Sequence, residues 1–103
     1  MLFRSSQMAV QELLGIDVAN VDREVADRYG YQKGVPGVVI TRVRPHGKGS
    51  RLREGDLIYG INDIEVTNEE NYKAALSKFA NEKEISVYIV RGQRRFEVLV
   101  SLK

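Results

Sequence analysis

The segment from Ile85 to Leu102 constrains the fold of this chain more than any other. Ile85, Val87 and Ile89 alternate with Ser86, Tyr88 and Val90. Beyond Gly92-Gln93 the alternation resumes as Phe96, Val98, Val100 and Leu102 against Arg95, Glu97, Leu99 and Ser101. A period of two places one set of side chains on each face of a strand and is incompatible with a helix. Two such runs joined by two residues make an antiparallel hairpin, and glycine at the first turn position selects a type II′ connection. An isolated hairpin is marginal in water, so further strands and a covered apolar face must come from the preceding residues.

Those strands are visible. Val38 to Val43 is an apolar run stopped by Pro45. Leu57–Ile61 and Ile64–Val66 flank Asn62-Asp63, whose short polar side chains tolerate positive φ, which predicts a second tight hairpin. Strand character also appears over 14–19, with Ile16 and Val18 on one face. Two helices interrupt this β pattern. Asn20 is placed to cap a short one carrying Val21, Val25 and Tyr29 at four-residue spacing, with Gly30 ending it. Thr67 and Glu70 have the spacing of a capping box, and Tyr72, Ala75, Leu76 and Phe79 then fall on one helical face. Lys33-Gly34-Val35-Pro36-Gly37 and His46-Gly47-Lys48-Gly49-Ser50 read as loops. Residues 1–12 form a lead-in, in which Ser5 or Ser6 could cap a short helix through Met8, Val10 and Leu13. The order predicts an α+β, mostly β fold: a small, partly open antiparallel barrel or sandwich capped by two helices, and not a parallel α/β fold.

At 103 residues the chain is one domain, able to build a single core without staples. It has no cysteine, which excludes disulfides, thiol catalysis and thiolate zinc sites. No apolar run approaches a membrane span. Met1-Leu2-Phe3-Arg4-Ser5-Ser6 lacks the apolar core of a secretory signal, so an exported parent would imply that the chain is a piece of it. A net charge of +2 with both signs interspersed leaves no distinct footprint for nucleic acid.

One short motif points to binding. Leu13-Leu14-Gly15-Ile16 sets a glycine among apolar residues at the mouth of a strand. Such a loop can turn successive backbone amides toward one point and hold a carboxylate without a cationic side chain. The strand behind it could then accept a peptide as an added strand. The same four residues more often close an ordinary helix or enter an ordinary strand.

Taken together, these parts resemble a PDZ domain in the circularly permuted arrangement of bacterial HtrA/Deg-type serine proteases. Leu13-Leu14-Gly15-Ile16 resembles the carboxylate-binding loop, and Gly37-Val38-Val39-Ile40-Thr41-Arg42-Val43 resembles the family's Gly-Val-Val-Val-x-x-Val strand. Leu52-Arg53-Glu54-Gly55-Asp56-Leu57-Ile58 with Ile61-Asn62-Asp63-Ile64-Glu65-Val66 is similar to its Leu-x-x-Gly-Asp-Val-Ile…Val-Asn-Gly-x-x-Val signature, the specific part of the match. The resemblance makes 13–103 the PDZ domain. The chain departs from the pattern between Pro45 and Gly55, where the family's short helix is replaced by His46-Gly47-Lys48-Gly49-Ser50-Arg51-Leu52. That helix is expected to be shortened or absent. The end at Lys103, just past the last strand, resembles that of a last PDZ module, with a first module left open.

The resemblance implies a non-catalytic module that recognises C-terminal or extended apolar peptide segments. Leu13, Leu14, Gly15 and Ile16 would form the carboxylate loop, and Asp17, Val18, Ala19, Glu69, Lys73 and Leu76 the groove, with Tyr72, Ala75 and Phe79 turned to the core. It implies no cofactor, no metal, no catalytic residues and no membrane insertion. The partners would be peptides of other proteins and neighbouring domains of an exported, extracytoplasmic protease, with the isolated domain monomeric. Two alternatives differ in class: a PDZ with a closed groove that packs within its parent, and a basic small barrel binding nucleic acid through Arg42, Arg44, Lys48, Arg51 and Arg53. His46, the single histidine, has no second imidazole or thiol for a zinc site and reads as a solvated turn residue. Asp56 reads as a turn or backbone-capping residue rather than a catalytic acid.

Overall fold

The computed structural model describes residues 14–45 and 47–102. The chain runs β1 (Ile16–Asn20), α1 (Arg23–Tyr29), β2 (Val38–Val43), β3 (Leu57–Ile61), β4 (Ile64–Glu65), α2 (Glu69–Phe79), β5 (Glu84–Arg91) and β6 (Arg94–Ser101). The strands form one open antiparallel sheet in the order β1-β2-β3-β5-β6, with β4 paired to β3. β1, β6 and the two-residue β4 therefore each keep one unpaired edge. The expected mostly β architecture with two helices is what the chain adopts, and its final hairpin pairs from Glu84↔Ser101 to Arg91↔Arg94. Gly92 has φ +65 while Gln93 is not left-handed, the combination of a type II′ turn.

Alternation along β2 distributes the core. Val38 and Ile40 join Leu76, Tyr72, Ile58 and Ile89 under α2, whereas Val39 meets Val21, Ala26 and Leu57 under α1. The two helices thus cover opposite faces of the sheet near β2 and β3. Between Pro45 and Gly55 the described residues form turns and bends without a helix, as the departure from the family pattern predicts. The expectations for lead-in residues 1–12, for Leu13 and for His46 fall outside the described residues.

Both helix starts differ from expectation. Asp22, not Asn20, caps α1, its side chain accepting from Val25 N at 2.9 Å. Asn20 is instead drawn to a distant partner described below. α2 begins one residue later than the Thr67 box would place it. Asn68 accepts from Asn71 N at 2.8 Å, and Asn71 Oδ1 accepts from Thr67 N at 2.7 Å. The two asparagine side chains satisfy Asn71 N and Thr67 N in place of the expected Thr–Glu box, because a side-chain amide oxygen satisfies an orphan N–H as a carboxylate does.

Asp56 is structural. Only 2% exposed, its carboxylate accepts from Arg53 N at 2.9 Å and from Arg91 Nε and Nη2 at 2.9 and 2.8 Å. A carboxylate with its lone pairs so occupied ties the 53–56 turn to the end of β5.

Candidate functional site

The site is built on the free edge of β1. Arg44 N donates to Gly15 O at 2.9 Å. In an antiparallel ladder, residues alternate between bonding their neighbour and pointing away from it. Asp17, opposite Arg42, therefore bonds toward β2, and the main-chain groups of Ile16 and Val18 face the open edge. β2 carries one extra residue, Thr41, between the pairs Asp17↔Arg42 and Val18↔Ile40. This bulge twists β1 where it borders α2.

The preceding loop has the geometry of an amide cradle. Leu14 is helical and Gly15 sits at φ +68, a right-then-left sequence whose successive N–H groups converge. The carbonyls fix the direction. Leu14 O accepts from Gly49 N at 2.8 Å and Gly15 O from Arg44 N, both on the side of the 44–49 turn. Among the described residues all peptide bonds are trans, so each N–H points opposite to the carbonyl of its own peptide unit. The amides of Gly15 and Ile16 consequently point away from that turn.

Glycines permit this packing. A Cβ on Gly47 would stand 2.6 Å from Leu14 O and 2.8 Å from Gly15 Cα, and one on Gly15 would stand 2.7 Å from Gly47 Cα. The departure from the family pattern at 46–52 thus places a bare backbone directly behind the loop.

Between β1 and α2 lies a groove of about 260 Å³ lined by Ile16, Asp17, Val18, Glu69, Tyr72 and Lys73. Asn20 Oδ1 accepts from Glu69 N at 2.6 Å and stitches the end of β1 to the start of α2. Beside the loop, Arg44 Nη2 lies 3.2 Å from Asp17 Oδ1. Of the residues expected at the groove, Asp17, Val18, Glu69 and Lys73 line it. Leu14 and Leu76 are 0% and 1% exposed and belong to the core behind it, and Ile16, at 4%, joins core and groove. Ala19 is half-buried on β1 outside the lining.

Tyr72 was not anticipated at the groove. Helical spacing places it in the core, and it is 2% exposed, yet it also lines the groove. Its hydroxyl has no hydrogen-bond partner among the described residues. Burial, and after it the Asp17 charge, push the phenol well above its ordinary pKa, so it remains a protonated donor. The one hint in the sequence is a tyrosine where phenylalanine would fill the core.

A second depression, of about 320 Å³, lies beside β6 and is lined by residues including Lys48, Arg51, Glu84 and Leu99. No helical residue lines it, so a strand added there would have only one wall. Among the described residues no group of three or more His, Cys, Asp or Glu side chains could hold a metal ion, and no helix is long and apolar enough to cross a membrane.

This arrangement is that of known PDZ domains. The HtrA3 PDZ domain bound to a phage-derived ligand (FGRWV) superposes with a TM-score of 0.68 at 16% identity, covering 85% of this chain and 82% of that one. The HtrA-type protease AlgW with decapeptide gives a TM-score of 0.75 at 22% identity over 85% of this chain and 27% of that one. The chain has the PDZ fold. In sequence it is 35% identical over 81 residues to the multi-heme protein MamP of Magnetospirillum gryphiswaldense, covering 79% of this chain and 30% of that protein. It is 23% identical over 91 residues to a probable periplasmic serine endoprotease DegP-like of Rickettsia conorii, covering 86% of this chain and 18% of that one. The chain therefore spans less than a third of the length of these relatives. No family model matches it.

Proposed function

We propose that this domain binds the C-terminal or extended segments of other proteins by strand addition to β1. The observation that carries this reading is the open groove between the unpaired edge of β1 and α2. The main-chain groups of Ile16 and Val18 bond the peptide, and the amides of Leu14, Gly15 and Ile16 receive its terminal carboxylate. Asp17, Glu69 and Lys73 meet the side chains of the last residues, while Leu14 and Leu76 support the groove from behind. Two solved neighbours hold a peptide or peptide-like ligand, which supports the same use here. A few main-chain bonds at about 1 kcal/mol each and one partly buried side chain, less the cost of ordering the peptide, give roughly micromolar affinity.

The domain serves as a recognition module of a larger extracytoplasmic protein, in line with its likeness to a periplasmic DegP-like protease. The higher identity to a multi-heme protein supports a second reading of the parent, as a haem protein rather than a protease. Thioether attachment of haem requires Cys-x-x-Cys-His, and this chain has no cysteine, so such haem would be carried elsewhere in that parent.

Titration calorimetry with a peptide in two forms, free acid and C-terminal amide, tests the binding reading. The acid should bind at micromolar concentrations and the amide at least tenfold more weakly. Absence of binding by both forms contradicts the proposal.

A further inference from the structure

Among the described residues the large apolar side chains left exposed are Phe96, at 41%, and Leu99, at 49%, and both belong to β6. They lie on opposite faces of the sheet. Phe96 stands across from Ile89, on the face that carries Val98 and Val100 to the core, and Leu99 stands across from Ser86 on the other. A body resting on one face would cover only one of them. A strand added in the plane of the sheet covers both.

That edge is open. Leu102 N donates to Lys83 O at 2.8 Å, and the hairpin closes at Arg91↔Arg94. By alternation the even-numbered residues of β6 bond β5, and the main-chain groups of Arg95, Glu97 and Leu99 point to the free side. A flexible peptide would find only one wall there, since no helical residue lines the depression beside β6. A strand already ordered in another sheet costs little to fix.

Charged residues on an edge ordinarily guard it against pairing. On β6, however, Arg95 and Glu97 are exposed on one face with opposite signs. Among the described residues neither takes part in an ion pair: Arg95 lies over the Tyr59 ring at 5.4 Å, and Glu97 accepts from Ser86 Oγ at 2.7 Å. A second β6 meets them antiparallel about a two-fold axis perpendicular to the sheet. With the axis at Phe96, Arg95 of each copy faces Glu97 of the other. The two Phe96 side chains then form a non-bonded pair, where side chains come closest. Leu99 falls diagonal to Arg95 of the second copy, whose aliphatic stem can cover it. An axis at Arg95 or Glu97 sets like charges face to face, and one at Val98 sets Glu97 against Leu99.

We infer that β6 is a self-association edge, pairing antiparallel with β6 of a second copy of this chain so that Arg95 of each faces Glu97 of the other. In place of the monomer that the family resemblance implies, two sheets join into one with a free β1 at each end. The inference does not depend on what β1 binds. The ladder runs only from Arg94 to Val98, small for a stable interface, so the pair forms at roughly 100 µM and above.

Sedimentation equilibrium of the 103-residue chain tests it. The mean mass should rise from that of one chain toward that of two between micromolar and millimolar concentration. Arg95→Glu and Glu97→Arg should each weaken association about tenfold, because both facing pairs become repulsive. An equimolar mixture of the two variants should associate as tightly as the parent, since every facing pair is again opposite in sign. A measurement on the unsubstituted protein stands beside it. In a mixture of 13C-labelled and unlabelled chains, an isotope-filtered NOE should join Arg94 Hα of one copy to Val98 Hα of the other, residues that face each other in a non-bonded pair. A mass that stays at one chain at millimolar concentration overturns the inference. So does a mixture that associates no better than either variant alone, or a filtered spectrum without the Arg94–Val98 contact.

Discussion

Replacing Gly47 with alanine tests whether the 47–49 turn supports the amide loop. Gly47 does not have positive φ, so alanine meets no backbone penalty there, and the whole effect is contact. The new Cβ would stand 2.6 Å from Leu14 O, and real Cβ contacts begin near 3.0 Å, so turn and loop must part by at least 0.4 Å. That movement pulls on the bond from Gly49 N to Leu14 O, now 2.8 Å, and takes it to about 3.2 Å, the long end of the normal range. Overpacking at about 2 kcal/mol and most of a hydrogen bond at about 1 kcal/mol are partly offset by about 0.7 kcal/mol from the stiffer unfolded chain. The net loss of about 2 kcal/mol lowers Tm by roughly 8–16 °C in a domain of this size. Thermal unfolding followed by circular dichroism reads this directly, with Lys48→Ala, exposed in the same turn, as the unchanged control. Peptide affinity should fall as well, because the Gly15 and Ile16 amides are displaced with Leu14. A Gly47→Ala protein with parental Tm and parental affinity would refute the claim that this turn backs the loop.

Asp56→Ala removes the acceptor of three hydrogen bonds and leaves Arg91 without its carboxylate. Because Arg91 keeps some access to water, the cost should be about 3 kcal/mol, at the low end for a broken buried pair, read by urea unfolding. Tyr72 and Tyr31 are both raised above the usual tyrosine pKa, chiefly by burial. The unfolded chain therefore releases these protons first, and stability should hold up to about pH 10 and decline above it, less steeply in Tyr72→Phe. Lys73→Met should weaken binding of a free-acid peptide about two- to fivefold at low ionic strength and have little effect at high salt; equal affinities at low salt would remove Lys73 from the recognition of charge.

Much of the fold was legible because its signals are local. β2 spans Val38–Val43 and the last hairpin turns at Gly92-Gln93, as alternation and turn chemistry dictate. What escaped depends on distant partners. Asn20 has the residue type of a helix cap, and local sequence cannot reveal that its oxygen accepts from Glu69 N, 49 residues away. Gly47 and Gly49 read as flexibility, whereas their role is to let one backbone lie against another. The Thr67 box failed by one residue because Asn68, one place further on, caps Asn71 N, and Asn71 rather than Glu70 accepts from Thr67 N. At the site, Asp17, Val18, Glu69 and Lys73 followed from the family resemblance, which assigned them to the groove, and not from register alone. Tyr72 did not, since periodicity assigns a side chain to a face and is silent about where its terminal hydroxyl lies.

The account turns on β1 accepting a peptide as a seventh strand. The most direct measurement is NMR of the labelled domain with a bound free-acid peptide. Intermolecular NOEs between the peptide backbone and Ile16 and Val18, with new exchange protection at those amides and none at β6, are the predicted result. Peptide NOEs confined to the β6 edge, or protection of Ile16 and Val18 already complete without peptide, would contradict it.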